Sequence, residues 1–145
     1  MNNKQKLTAI AEDLMNAYRE TEYTVNIEPL ITLRVGQKSD ALIALHKRHR
    51  VESSALITAY NPYSESTLDA KNAQLQSDLY KELQTRSLTF LDGQGLHPSN
   101  MWPAEPSFLV LGLSLEASKI LGIKFQQNAI LWSDKDGIPQ LVLLR

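Results

Sequence analysis

Leu7, Ile10, Ala11, Leu14 and Tyr18 recur at helical spacing and predict a first amphipathic helix over residues 4–20. In YTVNIEPLITLRVG the period changes to two, with Ile31, Leu33 and Val35 set against Thr32 and Arg34, which is strand behaviour. Pro29 cannot donate to a ladder, so this run belongs at an edge, at a bulge or across a break between two short strands. Gly36 ends it, and Ser39 is placed to cap a short helix through about His49. SALITAY, residues 54–60, is β-rich and nearly all apolar, as expected of an interior strand covered on both faces. NPYS stops that strand, and Ser66 with Asp69 has the spacing of a capping box opening a helix to about Thr85.

SLTFL is a further strand, followed by DGQGLHPSNMWPAEP, which reads as an irregular loop over residues 92–106. Loops of that length are usually functional or disordered, and Trp102 argues against disorder. SFLVLGL, residues 107–113, is a second interior strand, and Ser114 then caps a short helix that Gly122 should stop. The last stretch, NAILWSDKDGIPQLVLLR, sets two apolar runs around an Asp-Gly turn, a strong hairpin signal.

No repeat, low-complexity segment or linker interrupts this alternation, so residues 1–145 read as a single domain. The expected class is α/β, bordering on α+β. It is a two- or three-layer sandwich whose mixed β-sheet includes the C-terminal hairpin and is covered by three to four helices, the first and third foremost. The strands around residues 24–35 should lie outside the interior pair.

Composition narrows the class of partner. An apolar fraction of 43% and a charged fraction of 21% are those of a globular chain, and a formal charge of −1 gives no long-range pull on nucleic acid or an anionic membrane. Nucleic acid is therefore an unexpected partner. With no cysteine, disulfides, thiolate metal sites and a cysteine nucleophile are excluded. The N-terminal stretch has two acids in its middle and no unbroken apolar run, unlike a signal peptide, and no segment approaches the roughly 20 apolar residues that span a bilayer. A cytoplasmic protein is expected. The oligomeric state is not encoded in any visible pattern.

One residue breaks the apolar pattern. Leu68, Leu75, Leu79 and Leu83 share a helix face, and Asn72 falls between the first two, pointing where they point. A buried amide without partners costs about 1–3 kcal/mol, so Asn72 needs hydrogen-bonding company from elsewhere in the chain. The nearest source is NPYS, where Asn61 ends an interior strand and Ser64 stands at the helix entrance. In α/β sheets the ligand crevice lies at the carboxyl ends of strands, which is where Asn61 sits. Two readings stay open: Asn72 ties a loop by bonding its backbone, or it contacts a ligand.

ITAYNPYS, Asn72, GQGLHPSNMWPAEPSFLVLGL and QNAILW, in that order, resemble a family of small bacterial proteins known only as domain of unknown function 3293. The resemblance runs from about AYRETEY to LVLLR, and WPAEPSFLVLGL is its most specific run. It implies no activity. It does imply that Asn61, Asn72, His97, Glu105, Gln127 and Asn128, with Trp102, belong to the family pattern. Packing scaffolds would share mainly apolar positions, so the resemblance weighs toward a shared polar pocket. The family pattern usually has glycine where Gln126 stands, which puts this chain's version of that loop in question.

Glu105 is the best acid–base candidate, because Pro103 and Pro106 stiffen the backbone around it and a nearby indole and prolines could desolvate it. His97 could be its partner. The plainer alternative is that Glu105 caps backbone N–H groups while His97 bonds a carbonyl. HKRHR sets His46 and His49 three apart, but a third metal ligand is missing, and basic residues suit a solvated helix C-terminus. A phosphate contact there is a weaker alternative. GQG lacks the third glycine and the following helix of a dinucleotide fingerprint, and DKDG lacks the ligand series of a calcium loop. Trp132 reads as core. No metal and no cofactor is expected.

Three functions remain in play. The leading one is a binding domain whose amide-rich pocket, built from Asn61, Ser64, Asn72, Trp102, Gln127 and Asn128, holds a small polar or nucleotide-like ligand. The second is a small enzyme using Glu105, with His97, for proton transfer. The third is a protein-interaction module in which the same residues brace the loop over 92–106.

Overall fold

The computed structural model describes residues 10–99 and 103–145. In chain order the elements are α1 (Glu12–Glu20), β1 (Glu22–Val25), β2 (Ile31–Leu33), α2 (Asp40–Arg48), β3 (Ser54–Ile57), α3 (Asp69–Thr85), β4 (Thr89–Leu96), β5 (Glu105–Leu111), α4 (Leu115–Lys124), β6 (Ala129–Ser133) and β7 (Pro139–Leu143). The strands form one sheet in the order β2-β1-β4-β5-β3-β6-β7. Among the described residues no helix is long and apolar enough to cross a membrane.

The α/β class, the four helices and the C-terminal hairpin match the sequence expectation, but every pairing in the sheet is antiparallel rather than mixed. The physical reason lies in the crossovers. The β3–α3–β4 and β5–α4–β6 connections each join strands of like direction, as the strand–helix alternation implied. Each also skips one position, and an oppositely directed strand fills it: β5 lies between β3 and β4, and β3 lies between β5 and β6. Direction is invisible in an apolar run, because any strand covered on both faces is apolar throughout.

Both faces are covered. Ala55, Ile57, Phe108, Val110 and Ile130 pack against Leu79 and Leu83 of α3 and Leu121 of α4. The alternate residues Leu56, Leu109, Leu111 and Leu131 pack with Val25 and Leu33 against Leu42 and Leu45 of α2. Thus α3 and α4, not α1, make the main layer on the first face. No residue of α1 is buried. That helix lies instead beside a cavity on the second face.

Local expectations fared unevenly. Ser39 caps α2 and Ser114 caps α4, each accepting from the N–H three residues on (3.1 Å in both). Pro29 falls in the connection between β1 and β2. The capping box at Ser66 and Asp69 does not form: Leu68 is the N-cap of α3, makes no side-chain cap and is 80% exposed. The interior strand ends at Ile57 rather than residue 60. Much of the supposed loop over 92–106 is regular, since β4 runs to Leu96 and β5 begins at Glu105. Gly122 does not stop α4, which continues to Lys124. A Cβ at Gly122 would meet Leu144 Cδ1 at 2.6 Å and Ile130 Cγ2 at 2.9 Å, so its glycine serves close packing.

Candidate functional site

Between the end of β3 and the start of α3 the chain makes a tight turn in which Asn61, Tyr63 and Ser64 have φ of 46°, 55° and 60°. Asparagine tolerates left-handed backbone, whereas tyrosine and serine adopt it at a cost of about 1–2 kcal/mol each. The surroundings must hold the turn. Ser64 N–H donates to Asn61 O at 2.7 Å, and Tyr63 N–H donates to Gln126 O at 2.7 Å. Gln126 itself has φ 57°, the conformation in which glycine is most at ease.

Asn72 is 3% exposed, and its amide is spent on that turn. Its Oδ1 accepts from Asn61 N–H at 2.8 Å, and its Nδ2 donates to Asn61 Oδ1 at 2.9 Å and to Thr67 O at 3.3 Å. Asn61 Oδ1 also accepts from Thr67 N–H at 3.1 Å. The amide in the apolar stripe is therefore a brace. Gln127 and Asn128 act alike. Gln127 Nε2 donates to the carbonyls of Tyr60 and Phe125, both at 3.2 Å. Asn128 Nδ2 donates to Ser64 Oγ at 3.1 Å, and its Oδ1 accepts from Arg145 at 3.0 Å.

The braced turn presents one group outward. Asn61 Nδ2 donates to Glu105 Oε2 at 3.0 Å, while Oε1, on a half-buried side chain, takes no hydrogen bond from the described residues. Glu105 opens β5 and stands in register with Gly95 of β4, which pairs in turn with Tyr23 of β1. A Cβ at Gly95 would lie 3.2 Å from the Tyr23 ring, so the missing side chain lets that ring fold across β4 toward Glu105. Burial raises the Glu105 pKa above the ordinary carboxylate value, and the Asn61 amide opposes the shift only in part. Burial likewise raises the pKa of Tyr18 and Tyr23, and the Glu105 carboxylate pushes both the same way.

These groups line a cavity of about 430 Å³. Of the candidates from sequence, Asn61, Ser64, Asn72, His97, Glu105 and Gln127 line it, and Asn128 reaches it through Ser64. Trp102 lies outside the described residues. His97 bonds Glu20 Oε1 at 3.0 Å and Ser99 Oγ at 2.7 Å, so its ring is engaged with α1 and its own loop, while Glu105 is held by Asn61. Sequence reasoning missed Tyr18, whose hydroxyl lies 2.6 Å from Ser64 Oγ, and Tyr23, which donates to Tyr18 O at 3.1 Å. It also missed Arg145, which stacks 4.1 Å over the Tyr63 ring. A glycine within a strand, Gly95, was the available signal for a close approach here.

The other candidates separate. His46 is buried and bonds Ser54 Oγ at 2.8 Å, whereas His49 is exposed at the end of α2, so the pair forms no joint site. Burial lowers the His46 pKa. GQG lies inside β4, and Asp134 to Gly137 form the hairpin turn. Trp132 donates to Leu113 O at 3.0 Å and packs against the α3–α4 layer.

No curated protein and no solved structure matches the chain. A family model described as "Protein of unknown function (DUF3293)" matches residues 57–130, which carry the braced turn, Asn72, Glu105, Gln127 and Asn128. Since the match spans just over half of the 145 residues, the chain belongs to the DUF3293 family.

Proposed function

We propose that this chain is a small-molecule-binding domain whose site is the cavity beside α1. The observation that carries this reading is Glu105: a half-buried carboxyl held at one oxygen by a braced amide, with its other oxygen left without a hydrogen bond from the described residues at the cavity wall. Drawing a carboxylate partly out of water is costly, and a fold gains nothing from it unless the group serves something that enters the cavity. The volume lies within the range of about 300–1,000 Å³ usual for small-ligand pockets. The amides act as the scaffold of this site rather than its reading edge, because their donors are already committed within the protein.

The test is a thermal-shift screen of small polar compounds against the wild type and Ala17→Phe, which places a ring in the cavity from α1. Compounds that raise the wild-type Tm should lose their effect in the variant. Equal shifts in both proteins would contradict a site in this cavity. A second reading, proton transfer by Glu105, draws support from its raised pKa and fixed position. It requires that Glu105→Gln remove turnover of a bound compound while binding persists.

A further inference from the structure

The cavity's polarity is one-sided. Glu105, Asp69 and His97 line it, with no lysine or arginine among the described lining residues, and the His97 ring already faces the Glu20 carboxylate. Arg145, the positive group that Tyr18 senses, lies over the Tyr63 ring and donates to Asn128. The amide donors of Asn61, Asn72, Gln127 and Asn128 all serve protein acceptors. An anionic ligand would thus meet carboxylates and few open donors. A ligand rich in N–H groups would meet the opposite: an open carboxylate oxygen and the aromatic rings of Tyr18, Tyr23 and Tyr60.

We infer that the cavity takes a small organic cation, a primary amine or amidine on an apolar body, whose charged head sits on Glu105 Oε1 beside Tyr18 and Tyr23. The apolar body lies along Leu14 of α1 and Leu56, Leu131 and Leu141 of the sheet, which line the same cavity. This inference rests on the binding reading above and gives it a ligand class. A cation also explains why the carboxyl is drawn partly out of water. Among the described residues no lysine or arginine lines the cavity beside Glu105, so the bound ligand supplies the countercharge.

Three probes of one shape and different charge test the point: benzylamine, benzyl alcohol and benzoate, titrated at neutral pH into the ¹⁵N-labelled full chain and into Glu105→Gln. Benzylamine should shift amide signals of Gly95, Asn61 and Ser107 and bind at least about tenfold more tightly than either analogue, a difference of about 1.4 kcal/mol. Glu105→Gln should erase that preference and still bind benzyl alcohol, which shows that the cavity survives the substitution. Benzoate binding as tightly as benzylamine, or a preference that outlives Glu105→Gln, would overturn the cation inference and leave the binding reading in place. No shift at cavity residues with any probe at millimolar concentration would overturn both.

Discussion

At the scale of single residues, Asn72 and Glu105 are opposites that look alike in sequence. Each is a polar group in apolar company, but Asn72 has its oxygen and its nitrogen both engaged by the turn, while Glu105 has a bond from the described residues at one oxygen alone. Asn72→Leu completes the leucine stripe yet strips the acceptor from Asn61 N–H and a donor from Asn61 Oδ1. It should cost about 2 kcal/mol or more by urea unfolding, and a neutral or stabilising result would deny the brace. Glu105→Gln should act the other way. The folded-state pKa lies above the ordinary 4.5, so below that value folded and unfolded chains both hold the proton and nothing is lost. As pH rises through 4.5 the unfolded chain releases its proton first, and stability falls until the folded pKa is passed. The glutamine variant lacks this loss. It should unfold at a higher temperature than wild type at neutral pH, with the gap closing toward pH 4, a comparison made by paired melts across that range.

At the scale of elements, periodicity located most helices and strands, while their ends depended on contacts no local rule contains. Ser39 and Ser114 cap as their spacing implies, because each precedes a helix whose first turn is free of other demands. At α3 the residues that should have made the capping box are overruled. The turn before the helix is committed to Asn61 and Asn72, and Thr67 N–H already has its acceptor in Asn61. Leu68 is left as an exposed N-cap with extended backbone (φ −58°, ψ 142°) and no cap bond. Leu68→Asp should therefore stabilise α3 by about 1 kcal/mol, read as a rise in the urea midpoint. Gly122 teaches the converse. Helix propensity favours Gly122→Ala by about 1 kcal/mol, but the new methyl would press on Ile130 and Leu144, so the variant should lose stability instead. A gain in its melting temperature would show that the α4–sheet contact has room for a methyl group.

At the scale of the whole molecule, the class was legible and the sheet's direction was not. Apolar runs such as SALITAY mark a strand covered on both faces, and nothing in them distinguishes a parallel neighbour from an antiparallel one. The candidate site was half legible for a related reason. Asn61, Asn72 and Glu105 stand out because a polar residue in apolar company needs an explanation. Tyr18 and Tyr23 do not, since each fits its helix or strand period and shows its hydroxyl's purpose only when α1 meets the turn at Ser64. Three distant segments, α1, the 61–67 turn and the β4–β5 pair, thus converge around one carboxyl. The central claim is that this convergence holds Glu105 partly desolvated at the cavity wall, and its most direct test is the ¹³C carboxyl titration of Glu105 in the intact protein. We expect a midpoint above 4.5 that rises further in Asn61→Ala, where the opposing hydrogen bond is gone. A midpoint at or below 4.5 in the wild type, unmoved by Asn61→Ala, would contradict the account.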